Sequence, residues 1–273
     1  MKKGALSILA VLVLSASLYG GAGEQETRSA ASSKRMAISV EEISEILKTL
    51  ETPYSRMKSL SYNAERKRTT VNSETEDSWS FTYRAPSDIR IEYKSPRKRI
   101  IVINKRDMWE YLPDQRVAMH TGLSEKSQAE RDAVIVKVMS RVSVSGLRPG
   151  NYSHLLSQVT SSEKSGNVLT VKGDQSPPFM LKIDTARNAM LVSELYDSDG
   201  NLKLKTTCSE HRRVRKGFWM PKKIQAITSN NNQYITDLVH VSEVSIDHDF
   251  SDNMFVFKKP GNVRVIENSG KKK

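Results

Sequence analysis

Ile100–Met119 reads IIVINKRDMWEYLPDQRVAM. Three short apolar runs are parted by two polar turns, Asn104–Asp107 and Pro113–Gln115. Such a pattern predicts antiparallel strands laid side by side. The runs are unusual in being apolar on both faces. Ile100, Ile101, Val102 and Ile103 are continuous, and Met108, Trp109, Tyr111 and Leu112 nearly so. A sheet with one solvated face alternates apolar and polar residues. The meander therefore predicts cover on both sides, by helices or a cavity on one and by covering segments or a partner on the other.

Working outward, the same strand signal continues in both directions. Trp79, Phe81 and Tyr83 alternate with Ser80, Thr82 and Arg84 until Pro86 breaks the run. Ile89, Ile91 and Tyr93 alternate with Arg90 and Glu92. Leu60–Val71 is polar and reads as a mobile or edge element. Downstream, Val168–Lys172 pairs with Met180–Ile183, and Met190–Tyr196 turns at Asp197–Asn201 into Leu202–Ser209. Lys223–Ser229, Tyr234–Val244, Phe250–Phe257 and Val263–Ile266 complete the series. The total is about ten or eleven strands with short connections, which favours a meander.

Helical signals are few. Ser39 and Glu42 form a capping box. Ile43, Ile46, Leu47 and Leu50 then make one apolar stripe, which Pro53 ends. Ser124 opens a second candidate helix running to residue 142, and Pro149–Leu156 is a third, short one. The fold class is thus mainly β (α+β): a large antiparallel sheet with two or three helices. So large a sheet must curl to close its edges or bury a face. Two or three helices lid the concave face of an unclosed barrel but do not fill it, which leaves an apolar cavity. Apolar cavities stay dry and accept apolar guests. A dozen acyl carbons contribute roughly 10 kcal/mol before ordering costs.

The N-terminus is a separate module. Lys2 and Lys3 precede an apolar stretch from Ala5 to Leu18, and Gly20–Gly23 supplies small residues for cleavage. Residues 1–23 read as a cleaved signal peptide, too short to span a bilayer. Residues 24–38 read as a flexible linker, 39–267 as the folded domain and 268–273 as a basic tail. The predicted location is the periplasm. The net charge is +12, and loss of Lys2 and Lys3 leaves +10. In the cell envelope that charge suits an anionic membrane surface or acidic protein, and export argues against nucleic acid. Cys208 is the single cysteine among 273 residues, so no intrachain disulfide forms, and it reads as a packed small residue.

Catalytic signals are poor. His120, His154, His211, His240 and His248 form no compact ligand pair, and no nucleophile elbow or phosphate loop occurs. His248 between Asp247 and Asp249 reads as a polar loop. Asp197–Asn201 lacks the spacing of a calcium loop and reads as a hairpin turn. No enzymatic activity, cofactor or metal is expected.

The ordered motifs resemble a known family. YRAPSDIRIEY (Tyr83–Tyr93) and the meander after it are similar to the LolA-like outer-membrane lipoprotein-sorting proteins. LYDSDGNLKLKTTCSEHRRVRKGFWMPKKIQAI (Leu195–Ile227) resembles the family's D-x-x-G…G-x-W-x-P-x-x-I segment. DNMFVFKKPGNVRVIE (Asp252–Glu267) resembles its closing F-x-F-x-x-P-x-G-V-x-V. The likeness spans residues 39–267. It implies an unclosed, helix-lidded barrel that holds lipoprotein acyl chains during periplasmic transit. It also implies an inner-membrane ABC transporter (LolCDE-like) as loader and an outer-membrane acceptor as recipient, with the carrier a monomer. The best-known members place an arginine directly before the proline to fix the lid. Here Ala85 precedes Pro86 and Arg84 stands one residue earlier, where a strand turns it to the other face. Arg84 is the gating candidate.

The expected function is carriage of acyl chains, without covalent chemistry. Ile43, Ile46, Leu47 and Leu50 are the candidate lid underside. Trp79, Phe81, Tyr83, Ile89, Ile91, Trp109, Tyr111 and Trp219 are the candidate cavity wall. An envelope-stress sensor or a generic lipid-binding protein of the same fold is the alternative.

Overall fold

The computed structural model describes residues 38–142, 152–175, 177–230 and 233–268. The expected leader, linker residues 24–37 and tail residues 269–273 lie outside the described residues, as does 149–151 of the third candidate helix.

The first element is α1 (Val40–Ser55). Ser39 Oγ accepts a hydrogen bond from Glu42 N at 3.2 Å, as the capping box predicts. Pro53 lies inside the last turn instead of ending the helix before it. Its ring removes one backbone donor, but Arg56 N still reaches Thr52 O at 3.3 Å, which closes the turn. Six strands follow: β1 (Ser59–Thr69), β2 (Glu74–Arg84), β3 (Asp88–Ser95), β4 (Arg99–Ile103), β5 (Asp107–Leu112) and β6 (Val117–Gly122).

Next comes α2 (Gln128–Val142), whose capping residue lies three residues beyond the expected Ser124. Ser127, not Ser124, faces a glutamate three residues on, and the pair bonds reciprocally. Ser127 Oγ accepts from Glu130 N at 3.3 Å, and Glu130 Oε2 accepts from Ser127 N at 2.8 Å. A 3-10 turn over Tyr152–Gln158 leads to β7 (Ser161–Ser165), β8 (Val168–Gly173), β9 (Phe179–Asp184), β10 (Ala189–Tyr196), β11 (Leu202–Arg215), β12 (Phe218–Asn230) and β13 (Gln233–Ile246). A 3-10 turn over Asp252–Phe255 and the short β14 (Arg264–Glu267) complete the described chain.

All fourteen strands join one sheet, in the order β14-β6-β5-β4-β3-β2-β1-β13-β12-β11-β10-β9-β8-β7. Every pairing is antiparallel except that of β14 with β6. β14 and β7 remain as separate edges, so the barrel is unclosed. Both helices pack on the same face. Ile43, Leu47 and Leu50 of α1 are buried against Leu169, Val171, Leu181 and Ile183 of β8 and β9. Ile135 and Val138 of α2 join a second cluster with Tyr62, Trp79, Phe81, Ile91 and Ile101. Each fully buried aliphatic or aromatic side chain here contributes about 1.5–3 kcal/mol.

Two sequence expectations need correction. Leu60–Val71 is no edge: β1 sits mid-sheet, bonded to β2 and β13. Its charges are compatible with that position because Arg66 and Arg68 find Asp77 and Asp237 on neighbouring strands, at 2.7 Å each. Phe250–Phe257 is not a strand either. It forms a strap across the opposite, outer face of the sheet. Arg90 Nη1 donates to Met254 O at 3.1 Å and Asn104 Nδ2 to Phe255 O at 2.9 Å, so side chains take the place of ladder bonds. The strap explains the unusual meander. Ile101 and Ile103 point to the helix-bearing face, while Val102, also fully buried, lies on the outer face with Trp109, its partner across β4 and β5.

Candidate functional site

The strand register orders the helix-bearing face into rows. Leu60, Tyr83, Ile89 and Ile103 form one row, and Tyr62, Phe81, Ile91 and Ile101 the next. Val241, Ala64, Trp79 and Tyr93 make the third. Cys208, Ile224, Val239, Arg66 and Asp77 make the fourth. Thr206, Ala226, Asp237 and Arg68 make the fifth. The face thus runs from wholly apolar at one end to polar and charged at the other.

The predicted site residues divide between the two faces. Trp79, Phe81, Tyr83, Ile89 and Ile91 share the helix-bearing face and are all buried. Ile43, Leu47 and Leu50 are buried beneath α1, with Ile46 half-buried beside them. Trp109, Tyr111 and Trp219 lie on the outer face, a correction to their expected place in the same wall. Side chains alternate along a strand. Met108 faces the core, so Trp109 faces away, and Met220 is buried in the core, so Trp219 faces away. Trp109 stacks between His120 and Phe257, at 4.1 and 4.9 Å between ring centroids. Tyr111 meets Phe257 at 5.6 Å, and Trp219 carries Arg187 over its ring at 5.5 Å.

Arg84 also lies on the outer face, as its offset from the proline implies. It donates to Asp88 Oδ2 at 2.7 Å, to Asp252 Oδ1 at 2.6 Å and to Phe250 O at 3.2 Å. Its partners belong to β3 and to the strap, not to either helix. Between strap and sheet lies a cleft of about 500 Å³ lined by Arg90, Glu92, Ile100, Tyr111, Met254 and Phe257, among others.

The titratable groups near these faces are held by partners or by burial. His120 bridges Asp107 Oδ1 at 2.9 Å and Glu267 Oε2 at 2.7 Å, which ties β14 to the sheet. Burial disfavours its charged form, but the two carboxylates outweigh burial and raise its pKa above the usual histidine value. Burial alone pushes the Cys208 thiol up to about 12, which keeps it protonated and unreactive at neutral pH. Asp247 accepts from Lys58 N at 2.8 Å and pairs with Arg215, so it is a structural anchor at the His248 loop. Asp197 Oδ1 accepts from Asp199 N and Asn201 N at 3.0 and 2.8 Å, the bonds of a hairpin turn. Among the described residues no group of three or more His, Cys, Asp or Glu side chains is arranged to hold a metal.

Sequence reasoning missed the polar end of the helix-bearing face. Arg66, Asp77, Thr206 and Asp237 were each two or four positions from apolar residues of the same parity. That spacing was the available signal.

No protein-family model matches the chain, and no curated protein matches it by sequence. Solved structures do match. An outer membrane lipoprotein-sorting protein domain from Vibrio parahaemolyticus is 12% identical, with a TM-score of 0.50, over 80% of this chain and 97% of that one. A DUF1329 family protein from Desulfovibrio piger is 11% identical, also with a TM-score of 0.50, over 80% of this chain and 97% of that one. A LolA superfamily protein from Nitrosomonas europaea is 14% identical, covering 81% and 99%, with a TM-score of 0.46. The likeness to lipoprotein-sorting proteins that the motifs carry is therefore shared at the level of fold.

Proposed function

We propose that this protein is a periplasmic carrier that holds the acyl chains of lipoproteins between its sheet and its two helices. The observation that carries this reading is the imbalance between sheet and lid. Continuous apolar rows run across β1–β4 on one face, a second apolar cluster lies on β8 and β9, and among the described residues two α-helices cover them. Neither helix is tied to the sheet by backbone ladder bonds. Near its start α1 is held by Ser162 Oγ on Ile38 O and by Lys164 near Glu42, at 3.2 and 3.5 Å. Such contacts let a helix lift without breaking the sheet. The shared fold with a lipoprotein-sorting domain supports the choice of cargo. The sequence's leader supports the compartment, and its basic balance supports docking on an anionic membrane or transporter.

Extraction of labelled lipoprotein from inner-membrane vesicles tests the reading. With an inner-membrane ABC transporter and ATP present, the purified protein should release lipoprotein as a soluble complex. No release overturns the lipoprotein cargo. Native mass spectrometry after gentle purification separates the nearest alternative, because a co-purified free phospholipid marks a generic lipid binder.

A further inference from the structure

The polar end of the helix-bearing face holds two ion pairs and, beside them, two unpaired atoms. Arg66 donates to Asp77 Oδ2 from Nε and Nη2, at 3.1 and 2.7 Å. Arg68 grips both oxygens of Asp237, at 2.7 and 2.8 Å. Arg66 Nε also stands 4.0 Å from Asp237 Oδ1, so the two pairs form one network. Two guanidinium groups and two carboxylates cancel in charge. Five sealed polar atoms have no hydrogen-bond partner among the described residues: Asp77 Oδ1, Trp79 Nε1, Arg99 Nε, Arg131 Nε and Thr206 Oγ1; Asp77 and Trp79 stand two residues apart on one face of β2, whereas Thr206 is four strands away on β11. Trp79 is 1% exposed and Thr206 2%. The Arg66 guanidinium lies 5.6 Å from the Trp79 ring centroid, which groups the indole with the network.

Buried polar groups are seldom left unpaired, and each exception calls for an explanation. An indole N–H only donates, a carboxylate only accepts, and a hydroxyl does both. The unpaired set therefore asks for a ligand group that also donates and accepts. The neutral network adds a second constraint. Both guanidinium groups are already engaged, so an anion brought here meets two carboxylates and no uncommitted cation, and an unpaired buried charge is unfavourable. The apolar rows lie on one side of this corner, so a tail has a single apolar direction to follow.

We propose that Arg66, Asp77, Trp79 and Asp237 form a headgroup site for an uncharged, hydroxyl- or amide-bearing amphiphile. The headgroup donates to Asp77 Oδ1 and accepts from Trp79 Nε1. The acyl chain lies along the Tyr62 and Leu60 rows. This rests on the acyl-carrier reading and adds the orientation and headgroup class of the guest.

Binding of three probes with the same acyl chain tests the site in the full chain: monooleoylglycerol, oleate and oleoyl lysophosphatidate. Wild-type protein should prefer monooleoylglycerol over both anions by about tenfold or more. Trp79→Phe keeps the ring and removes the N–H, and Asp77→Asn removes the charge. Each should narrow the preference to within about threefold, Trp79→Phe by weakening monooleoylglycerol binding and Asp77→Asn by also strengthening oleate binding. The Trp79 indole N–H resonance should move downfield with monooleoylglycerol and not with oleate. Equal affinity of wild-type protein for the three probes overturns the headgroup site and leaves the carrier reading intact. No binding of any probe removes both.

Discussion

Arg84 lies 4.7 Å from the ring centroid of Phe255 while its guanidinium bonds Asp88 and Asp252. One side chain thus fastens the strap to the outer face of the sheet from 168 residues away along the chain. Phe255 is 1% exposed, so the strap is a piece of core and not a loose tail. Arg84→Ala should lower unfolding stability by about 1–3 kcal/mol in urea titration. Arg84→Lys should recover only part of the loss, because an ammonium reproduces neither the planar fork nor the stacking. A change within a few tenths of a kcal/mol for Arg84→Ala would show that the strap is held by its phenylalanines alone.

His120 gives the attachment of β14 a pH dependence. Its folded-state pKa is raised, so the folded protein binds the proton more tightly than the unfolded chain does. The stabilisation is complete below the unfolded value of about 6.5 and fades as pH rises through the higher folded value. Urea midpoints should therefore fall between pH 6 and pH 9. His120→Gln should flatten that slope. An equal slope in both proteins would assign the dependence to other groups.

Gly173 admits no side chain. A Cβ there would lie 2.5 Å from the Gln158 carbonyl oxygen and 2.3 Å from Phe179 Cε1. The phenylalanine can turn, but the carbonyl belongs to the backbone of the 3-10 turn leading into β7. Gly173→Ala should cost about 1–3 kcal/mol. Adding Phe179→Leu should not restore the thermal midpoint, since the backbone contact remains.

Cys208 should behave as a buried apolar residue. It is 3% exposed and its thiol is held protonated. Ellman's reagent at pH 8 should label it only as fast as the protein unfolds. Rapid labelling of the native protein would place the thiol on an accessible surface instead.

Most of the fourteen strands, the two α-helices and the need for cover on both faces of Ile100–Met119 were legible in the sequence, because each is a matter of local periodicity, whereas the polar β7 carried no such signal. Ser39 and Glu42 announced α1 in the same way. Ser127 and Glu130 carried an equally local signal for α2, which the more prominent Ser124 obscured. Alternation also grouped Trp79 with Phe81 and Tyr83, and separated Arg84 from them.

Periodicity states which residues share a face, but not which face meets the helices. That choice sent Trp109, Tyr111 and Trp219 outward, and it depended on register between strands far apart in sequence. The strap was hidden for a related reason. Phe250, Phe255 and Phe257 read as another strand, and only the distant partners Arg84, Arg90 and Asn104 bind that segment as a cover. The network of Arg66, Arg68, Asp77 and Asp237 was hidden because charge in β1 reads as exposure until its counter-charges are placed beside it. The sequence by itself determined the elements and the two-sided meander, through short-range pattern. Only the tertiary structure decided the inner face, the outer cover and the polar corner, because each is made by side chains that meet across long stretches of chain.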